Sequence, residues 1–294
     1  MITTEFKQRV LAACKEKRAH FASDAKLAIW LGITSAQYSR VQKGELDNVL
    51  SEGNWISMAR RLEVSVGNKA ELVTAVTPVY DYITKQLAAC QASSISGLLC
   101  DLAGIGKTYA ARAYVRNNKN AVYIDCSQVK TKQRLVRLIA KEFGLNHTGK
   151  YHDVYYDLVF YIRSMVTPPI IILDEAGDLE YNAFLELKAL WNATEFACAW
   201  YMMGADGLRA KIENNLAHNK VGYAELFRRY GERFQRISPE GKEAMEDFKK
   251  EQVAMVAKAN GIGDIQKLYV KTQGSLTRVN IEIQKLKNMP NAND

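Results

Sequence analysis

The spacing of apolar residues predicts that the chain begins with a small helical domain. Over residues 1–65, apolar residues recur at helical intervals, as at Trp55, Met58 and Leu62, and no strand-like alternation is present. The glycine, asparagine and proline residues between 66 and 78 are typical of a linker. We therefore expect an all-α domain at 1–65 and a linker at 66–78.

A second pattern, in which short apolar runs alternate with helical periodicity, occupies residues 79–239. The predicted strands are 96–100, 121–125, 170–173 and 197–203. The predicted helices are 79–91, 107–117, 132–143, 153–165 and 182–195. Strands that alternate with helices form a parallel sheet with helices on both faces. The fold class predicted for this region is therefore α/β.

The pattern becomes helical again at Pro239. The predicted helices are 239–260, 264–272 and 276–288. We therefore expect a small helical domain at 240–288 and a disordered tail at 289–294.

A glycine-containing loop lies between the first predicted strand and the next helix. Residues 101–108 match the phosphate-loop pattern G-x-x-x-x-G-K-[ST] at every defined position except the first. In such loops the backbone N–H groups and the helix N-terminus hold phosphates. Lys107 would neutralise the β- and γ-phosphates of ATP, and Thr108 would bind Mg²⁺. The predicted nucleotide-binding residues of the loop are Gly104, Ile105, Gly106, Lys107 and Thr108.

Asp101 stands where the phosphate-loop pattern has its first glycine. Glycine at that position eases an unusual backbone turn. Aspartate is among the less costly substitutes because it tolerates left-handed conformations. Its carboxylate would bring negative charge close to the triphosphate, which would act against ATP binding.

A strand that ends in two carboxylates is the second element of the predicted site. The apolar run 170–173 is followed by Asp174 and Glu175. Ligands bind at the carboxyl ends of parallel strands. Asp174 would hold Mg²⁺ through water, and Glu175 would polarise the attacking water. Together with the phosphate loop, this motif predicts an ATP hydrolase.

The chain is basic, with 40 Lys and Arg residues against 32 Asp and Glu residues and a net charge of +8. Such a charge attracts polyanions, so nucleic acid is a candidate partner, although charge alone fits a basic protein without that partner equally well. No apolar run approaches the roughly 18 residues needed to cross a membrane, and the N-terminus lacks a signal-peptide core. We expect a cytoplasmic protein that does not enter the membrane.

Residues 79–288 resemble the AAA+ ATPases of DNA transposition, a family that includes the phage Mu B, IstB and TnsC proteins. The segments that carry this resemblance are 99–108, 121–125 and 174–176. The resemblance implies a helical lid at 240–288, with ATP and Mg²⁺ as cofactors. It also implies a homo-oligomer, either a ring or a helical filament, that binds double-stranded DNA and acts with a transposase.

The same resemblance suggests roles for four charged residues. Asp206 follows the fourth predicted strand, where the family has its first nucleotide sensor, and Arg278 lies where the family's lid sensor reaches the nucleotide. Arg233, and after it Arg229, lies in a segment that resembles the source of an arginine finger for a neighbouring subunit. The alternative for each arginine is an ordinary solvent-exposed side chain.

Residues 24–45 resemble a helix-turn-helix of the λ-repressor type, which the Mu B protein also carries before its ATPase. The recognition helix would be 35–43. Its predicted DNA-contacting residues are Gln37, Tyr38, Arg40 and Lys43. Only Gln37 and Arg40 have side chains suited to reading bases, so we expect weak sequence specificity. The alternative is a helical module that contacts protein, either its own ATPase or a transposase.

A second candidate DNA surface follows the predicted strand 121–125. Lys130, Lys132 and Arg134 lie in a region that, in related ATPases, lines the filament interior and contacts phosphates. The alternative is a solvated helix start.

The preferred function is an ATP-dependent, largely sequence-tolerant DNA-binding regulator of transposition. One alternative is a replication initiator or helicase loader of the same ATPase superfamily. Another is a non-catalytic repressor in which a degenerate nucleotide fold acts as a switch. Asp101 and Ala205 favour the repressor, whereas Lys107, Asp174 and Glu175 argue against it.

Overall fold

The structure, a computed structural model, describes residues 2–64 and 72–288. Within these ranges it contains fourteen α-helices and a four-stranded parallel sheet. The predicted linker lies partly, and the predicted tail wholly, outside the described residues. None of the described helices is long and apolar enough to span a lipid bilayer.

Four helices precede the sheet domain. They are α1 (Thr4–Arg18), α2 (Asp24–Leu31), α3 (Ser35–Gln42) and α4 (Glu52–Arg61). Each begins at a hydroxyl side chain that accepts a backbone N–H group of the first turn, which stabilises the helix start. These capping residues are Thr3, Ser23, Thr34 and Ser51. Phe6, Leu27 and Trp55 are among the buried residues that give these helices a hydrophobic core of their own.

The sheet is entirely parallel. Its strands are β1 (Gly97–Cys100), β2 (Ala121–Asp125), β3 (Ile170–Asp174) and β4 (Ala199–Gly204). They lie side by side in the order β1, β4, β3, β2. The predicted α/β fold is therefore confirmed, and each strand begins and ends within two residues of its predicted limits.

Helices cover both faces of the sheet. They are α5 (Pro78–Ser93), α6 (Lys107–Asn117), α7 (Lys132–Glu142), α8 (Tyr151–Arg163), α9 (Tyr181–Ala193), α10 (Asp206–Ala217) and α11 (Tyr223–Arg229). Ile170 and Ile172 of β3 pack in one core with α5 and α6. Ile171 and Leu173 pack in a second core with the remaining helices. Burial on both faces explains why β3 is a continuous apolar run.

Two of these helices, α10 and α11, are absent from the sequence-based prediction. Leu208 and Ile212 are the buried residues of α10, and Tyr223 and Leu226 are those of α11. Two buried positions per helix are too few to establish a 3.6-residue period against the surrounding polar residues.

The C-terminal helices form a separate small core. They are α12 (Lys242–Ala259), α13 (Ile265–Thr272) and α14 (Leu276–Asn288). Their buried residues are Val253, Ala257, Leu268, Val279 and Ile283. Residues 235–238, which we call the entry segment, lead into these helices along the edge of β1. The Gln235 N–H donates to the Leu98 carbonyl at 2.9 Å, and the Cys100 N–H donates to the Gln235 carbonyl at 3.0 Å.

The N-terminal helices pack directly on the sheet domain. Trp30 Nε1 donates to Glu142 Oε2 at 2.6 Å, and Arg61 lies 3.6 Å from the other oxygen of that carboxylate. Gly144 allows the close approach, since a Cβ there would lie 2.5 Å from the Lys26 carbonyl oxygen. Among the described residues, no hydrogen bond or ion pair joins α3 to the sheet domain. Ser35, Ser39 and Arg40 are exposed, so one side of α3 is accessible.

Candidate nucleotide site

The loop between β1 and α6 needs glycine at two positions. Gly104 has φ +76° and Gly106 has φ +103°, a region that favours glycine. A Cβ on Gly106 would also lie 3.3 Å from Leu276 of α14. Gly106 is the N-cap of α6 and supplies no side-chain acceptor to the first N–H groups of that helix. Those N–H groups can therefore bind an anion, helped by the helix dipole.

Lys107 is buried over this loop, with 7% of its surface exposed. Its ammonium group donates to the carbonyl oxygens of Asp101 and Leu102, at 2.7 and 2.6 Å. Burial lowers the pKa of Lys107, while nearby carboxylates, Asp101 first among them, act to raise it. The lysine is thus poised to exchange a carbonyl acceptor for a phosphate oxygen.

The oxygens of Thr108 and Asp174 lie side by side. Thr108 Oγ1 donates to Asp174 Oδ2 at 2.7 Å, and the Tyr123 hydroxyl donates to the same oxygen at 2.7 Å. The Glu175 N–H donates to Asp174 Oδ1 at 2.9 Å. In nucleotide sites, Mg²⁺ is held by a hydroxyl, one or two carboxylates, water and phosphate oxygens. Thr108 and Asp174 fit that set of ligands.

Glu175 combines an unusual backbone with a perturbed carboxyl group. Its φ of 48° and ψ of 41° are left-handed, which costs a non-glycine residue about 1–3 kcal/mol. Burial and the charge of Asp174 raise the pKa of Glu175, and Lys107 acts to lower it. A carboxylate with a raised pKa beside a phosphate loop has the chemistry of a general base.

Tyr123 should position the magnesium ligand. We expect Tyr123→Phe to lower the affinity of the nucleotide site for Mg²⁺ by about 10-fold. Residues that orient metal ligands typically contribute 10–100-fold to metal affinity. A Mg²⁺ titration of nucleotide affinity measures this. Tyr114→Phe is the matched control, since the Tyr114 hydroxyl donates to Gln91 instead. Equal affinity for Mg²⁺ in the two variants would contradict the role of Tyr123.

Asp101 does not stand in for a glycine turn. Residues with positive φ include Gly104 and Gly106 but not Asp101, so the backbone at Asp101 does not use the left-handed conformation that aspartate tolerates. The side chain is 1% exposed, and its carboxylate accepts hydrogen bonds from Leu102, Ile237 and Ser238. A carboxylate satisfied in this way is held by the protein backbone.

A cavity of about 550 Å³ opens from the phosphate loop. Lys107, Thr108 and Glu175 line its polar end, and Val256 and Leu276 contribute apolar surface from the C-terminal helices. Its volume is in the range of small-ligand pockets. The cavity can therefore hold a molecule with one charged end and one less polar end. A nucleoside triphosphate, with its triphosphate and its base, is such a molecule.

Two asparagines complete the cavity on the side of the C-terminal helices. Asn260 pairs with the backbone of Val73, donating to its carbonyl at 3.0 Å and accepting its N–H at 2.9 Å. Asn280 Oδ1 is buried and has no hydrogen-bond partner among the described residues. It is therefore an acceptor that a bound ligand can satisfy.

The structure does not bring the two predicted sensors into this cavity. Asp206 and Arg278 are exposed, and neither lines the cavity. On α14 the lining residues are Leu276, Thr277 and Asn280. Because residues on a helix rotate by about 100° per position, Arg278 lies beyond the edge of that face. In this conformation neither Asp206 nor Arg278 lines the cavity, and their contacts with nucleotide stay predictions.

The two candidate finger residues differ in their surroundings. Arg229 donates to the Asn192 side chain and the Glu225 carbonyl, both at 2.8 Å, and its guanidinium lies over the Trp191 ring. Arg233 is exposed beyond the end of α11. Of the two, Arg233 is the one that a neighbouring subunit could reach without breaking existing contacts.

Tyr38 is not a surface residue. It is 1% exposed and belongs to the core of the N-terminal helices, and its hydroxyl accepts a hydrogen bond from Gln42 at 2.7 Å. The prediction that Tyr38 contacts DNA is wrong, because packing against α2 turns this side of α3 inward.

The other predicted DNA contacts of α3 are accessible to different degrees. Gln37 forms a capping box with Thr34 at the start of α3. Arg40 is paired with Glu45 at 2.7 Å, and Lys43 is exposed. An exposed ion pair is weak, so Arg40 can exchange its partner for a phosphate.

Lys130, Lys132 and Arg134 are all exposed; Lys130 precedes α7, and Lys132 and Arg134 lie in its first turn. Lys130 lies 4.0 Å from Asp178, and the Lys132 ammonium group lies 5.8 Å from the centre of the Tyr151 ring. All three side chains are therefore accessible to solvent, and their contact with DNA stays a prediction.

Comparison with known proteins agrees with this geometry. Residues 93–212 match the model of a family described as "AAA domain". The chain has an AAA+ fold. The DNA-bound Orc1 protein of Aeropyrum pernix is similar in structure, with a TM-score of 0.54 and 18% identity. That alignment covers 74% of this chain but 63% of the Orc1 chain, slightly less than two thirds.

A search of curated protein sequences found no match. The matches that exist support an AAA+ ATPase, and the Orc1 likeness concerns the fold alone at this level of identity. Because all four strands are parallel, the loops that follow β1 and β3 lie at the same edge of the sheet.

Two residues of the site, Tyr123 and Asn280, are absent from the sequence-based prediction. Tyr123 is an ordinary strand residue in the sequence, and only the pairing of β2 with β3 brings it beside Asp174. Asn280 lies two positions from Arg278, and the rotation of α14 decides which of them faces the cavity. Neither placement has a local sequence signal.

Proposed function

We propose that this protein is a Mg²⁺-dependent ATPase that assembles on double-stranded DNA and regulates transposition. The proposal of ATPase activity rests on one arrangement. Lys107 lies over the phosphate loop, and Thr108 lies against Asp174. Bound Mg²⁺ would neutralise charge on the phosphates. Lys107 binds the β- and γ-phosphates, and Glu175 orients and deprotonates the attacking water.

The proposal of a homo-oligomer rests on the position of Arg233, which is exposed and lies outside the cavity of its own chain. No arginine at the end of α11 lines the cavity of its own chain. An exposed Arg233 supplied by a neighbouring copy would stabilise charge that develops on the γ-phosphate. This supports a homo-oligomer, ring or filament, in which ATP lies between subunits.

The proposal of DNA binding rests on two accessible surfaces. One is the side of α3 that carries the half-buried Gln37 and the exposed Arg40 and Lys43, in the proposed helix-turn-helix. The other is the exposed basic cluster after β2. The similar Orc1 structure is described as a complex with DNA, which supports DNA as the partner of this fold. Because basic side chains mainly bind phosphates, which carry no sequence information, we expect binding to be largely sequence-tolerant.

Salt dependence tests the basic cluster. Replacing Lys130, Lys132 and Arg134 by alanine should reduce the slope of log affinity against log salt by up to about 2.7, about 0.9 per lost phosphate contact. The measurement is ATP-dependent binding of a duplex at several salt concentrations.

A second alanine triple at exposed lysines elsewhere, Lys119, Lys242 and Lys258, controls for net charge. A third variant, with Gln37, Arg40 and Lys43 replaced, reports the contribution of α3. If the cluster variant keeps the wild-type affinity and slope, these three residues do not contact DNA.

A replication initiator or helicase loader is the second candidate, and the structural likeness to Orc1 is the observation that favours it. The order of a helix-turn-helix before the ATPase favours a transposition regulator. Stimulation of strand transfer by a transposase encoded beside this protein would support transposition. Loading of a replicative helicase without any effect on strand transfer would support the initiator.

A further inference from the structure

A buried carboxylate occupies the position where the phosphate-loop pattern has its first glycine. Asp101 Oδ1 accepts the Leu102 N–H at 2.7 Å and the Ser238 hydroxyl at 2.5 Å. Asp101 Oδ2 accepts the N–H groups of Ile237 and Ser238, at 2.7 and 2.8 Å. Three of the four hydrogen bonds come from the entry segment, more than 130 residues away in sequence.

The entry segment joins two parts of the chain that ATP would engage. It begins two residues after Arg233 and ends four residues before Lys242, the first residue of α12. The phosphate loop is attached to the C-terminal helices at a second point, where the Leu276 N–H at the start of α14 donates to the Gly104 carbonyl at 2.9 Å. The loop is therefore hydrogen-bonded to the C-terminal helices through both the segment that enters them and their last helix.

We propose that Asp101 is a positioning residue that fixes the phosphate loop to the entry segment, so that the loop and the C-terminal helices bind nucleotide as one unit. This inference rests on the nucleotide binding proposed above. It has an unexpected consequence, which is that Asp101→Gly, the change that completes the phosphate-loop pattern, should weaken nucleotide binding.

The physical reason lies in the hydrogen-bond donors of the entry segment, which Asp101 accepts. Without its carboxylate, the N–H groups of Ile237 and Ser238 lose their acceptor in a buried environment, which drives the entry segment away from the loop. The Asp101 carbonyl also accepts a hydrogen bond from Lys107, so a displaced loop entry displaces the ammonium group. Glycine would add backbone freedom at the same position.

The surroundings of Asp101 favour the charged form of its carboxyl group. Burial acts to raise the pKa of Asp101, but hydrogen bonds from Ser238, Ile237 and Leu102 together hold it below its ordinary value. Asparagine has nearly the same shape and keeps one oxygen that can accept the N–H groups of Ile237 and Ser238, while its amide can donate to the Ser238 hydroxyl. The hydrogen bond that is lost is the one from the Leu102 N–H, which lies within the loop and does not involve the entry segment. Asp101→Asn should therefore retain most of the connection.

The test compares wild type, Asp101→Gly, Asp101→Asn and Ser238→Ala in the full chain. Affinity for MgATP, kcat at saturating ATP and Tm are measured for each, with amide hydrogen exchange at Ile237. We expect Asp101→Gly to lower MgATP affinity at least 10-fold with kcat within about 3-fold of wild type. Asp101→Asn should recover most of that loss. Ser238→Ala, which removes one donor, should lower affinity about 3-fold and speed exchange at Ile237.

The outcomes separate this inference from the proposed function. If wild type does not bind MgATP, both are overturned. If wild type binds and a folded Asp101→Gly binds equally well or better, or only its Tm changes, the inference alone is overturned. Should Asp101→Gly fail to fold, unchanged affinity and unchanged exchange in Ser238→Ala overturn the inference.

Discussion

Lys107→Ala should lower MgATP affinity by about 100-fold or more and abolish ATP-dependent assembly on DNA. A charge-assisted hydrogen bond contributes about 1.5–3 kcal/mol, and the upper figure corresponds to somewhat more than 100-fold in affinity. We expect the upper figure for Lys107, because its side chain is 7% exposed and little water competes with a phosphate for its ammonium group. Isothermal titration with MgATP and a DNA pelleting assay measure the two effects.

The controls for this variant depend on where Lys107 makes its contacts. In the structure Lys107 bonds to two backbone carbonyls of its own loop, so alanine removes a desolvated charge and leaves the sheet intact. We therefore expect its Tm to stay near that of wild type. Lys85→Ala, on the exposed surface of α5, controls for the lost positive charge. A folded Lys107→Ala protein with wild-type nucleotide affinity would exclude the phosphate loop as the ATP site.

The features that the sequence predicts well are those that local chemistry defines. The helix that begins at Lys107 and the strand Ala121–Asp125 have the predicted limits, because a phosphate loop and an alternation of strands with helices are recorded in consecutive residues. Asp174 and Glu175 are likewise found at the end of an apolar strand. These predictions need no knowledge of how distant segments pack.

The predictions that were wrong or absent concern contacts between distant segments. Asp101 is bound by residues 136 and 137 positions away, and no local pattern reveals a strand-like segment at 235–238. The prediction for Tyr38 puts it on the wrong side of α3, although Tyr38 and Val41 share a buried face at i, i+3 spacing that indicates its orientation. For Arg278, the resemblance fixes a position on α14 but not the rotation of that helix, which leaves the residue outside the cavity lining.

The second large effect concerns hydrolysis rather than binding. Glu175→Gln should preserve MgATP affinity within about 3-fold and lower kcat by about 10²–10⁴, because glutamine keeps the shape of the side chain but cannot accept a proton from water. The Asp174 carboxylate still accepts the backbone N–H of residue 175, so the magnesium ligand should keep its orientation. Single-turnover hydrolysis with bound ATP separates this step from binding.

The pH dependence gives Glu175 a second signature. Burial and the charge of Asp174 raise the pKa of Glu175, so wild-type kcat should decline on acidification at a higher pH than an ordinary glutamate would give. Protonation removes the base, hence activity is present above the pKa and lost below it. Glu175→Gln should lack this acidic limb altogether.

Assembly on DNA should respond in the opposite direction to hydrolysis. If ATP holds the subunits on DNA and hydrolysis releases them, Glu175→Gln complexes should persist after dilution for much longer than wild-type complexes. Glu180→Gln is the matched control, since Glu180 is an exposed carboxylate five residues away. A Glu175→Gln protein that hydrolyses ATP at the wild-type rate would exclude Glu175 as the base. If Glu175→Gln hydrolyses ATP slowly but leaves DNA at the wild-type rate, Glu175 is still the base. In that case ATP hydrolysis does not control release of the protein from DNA.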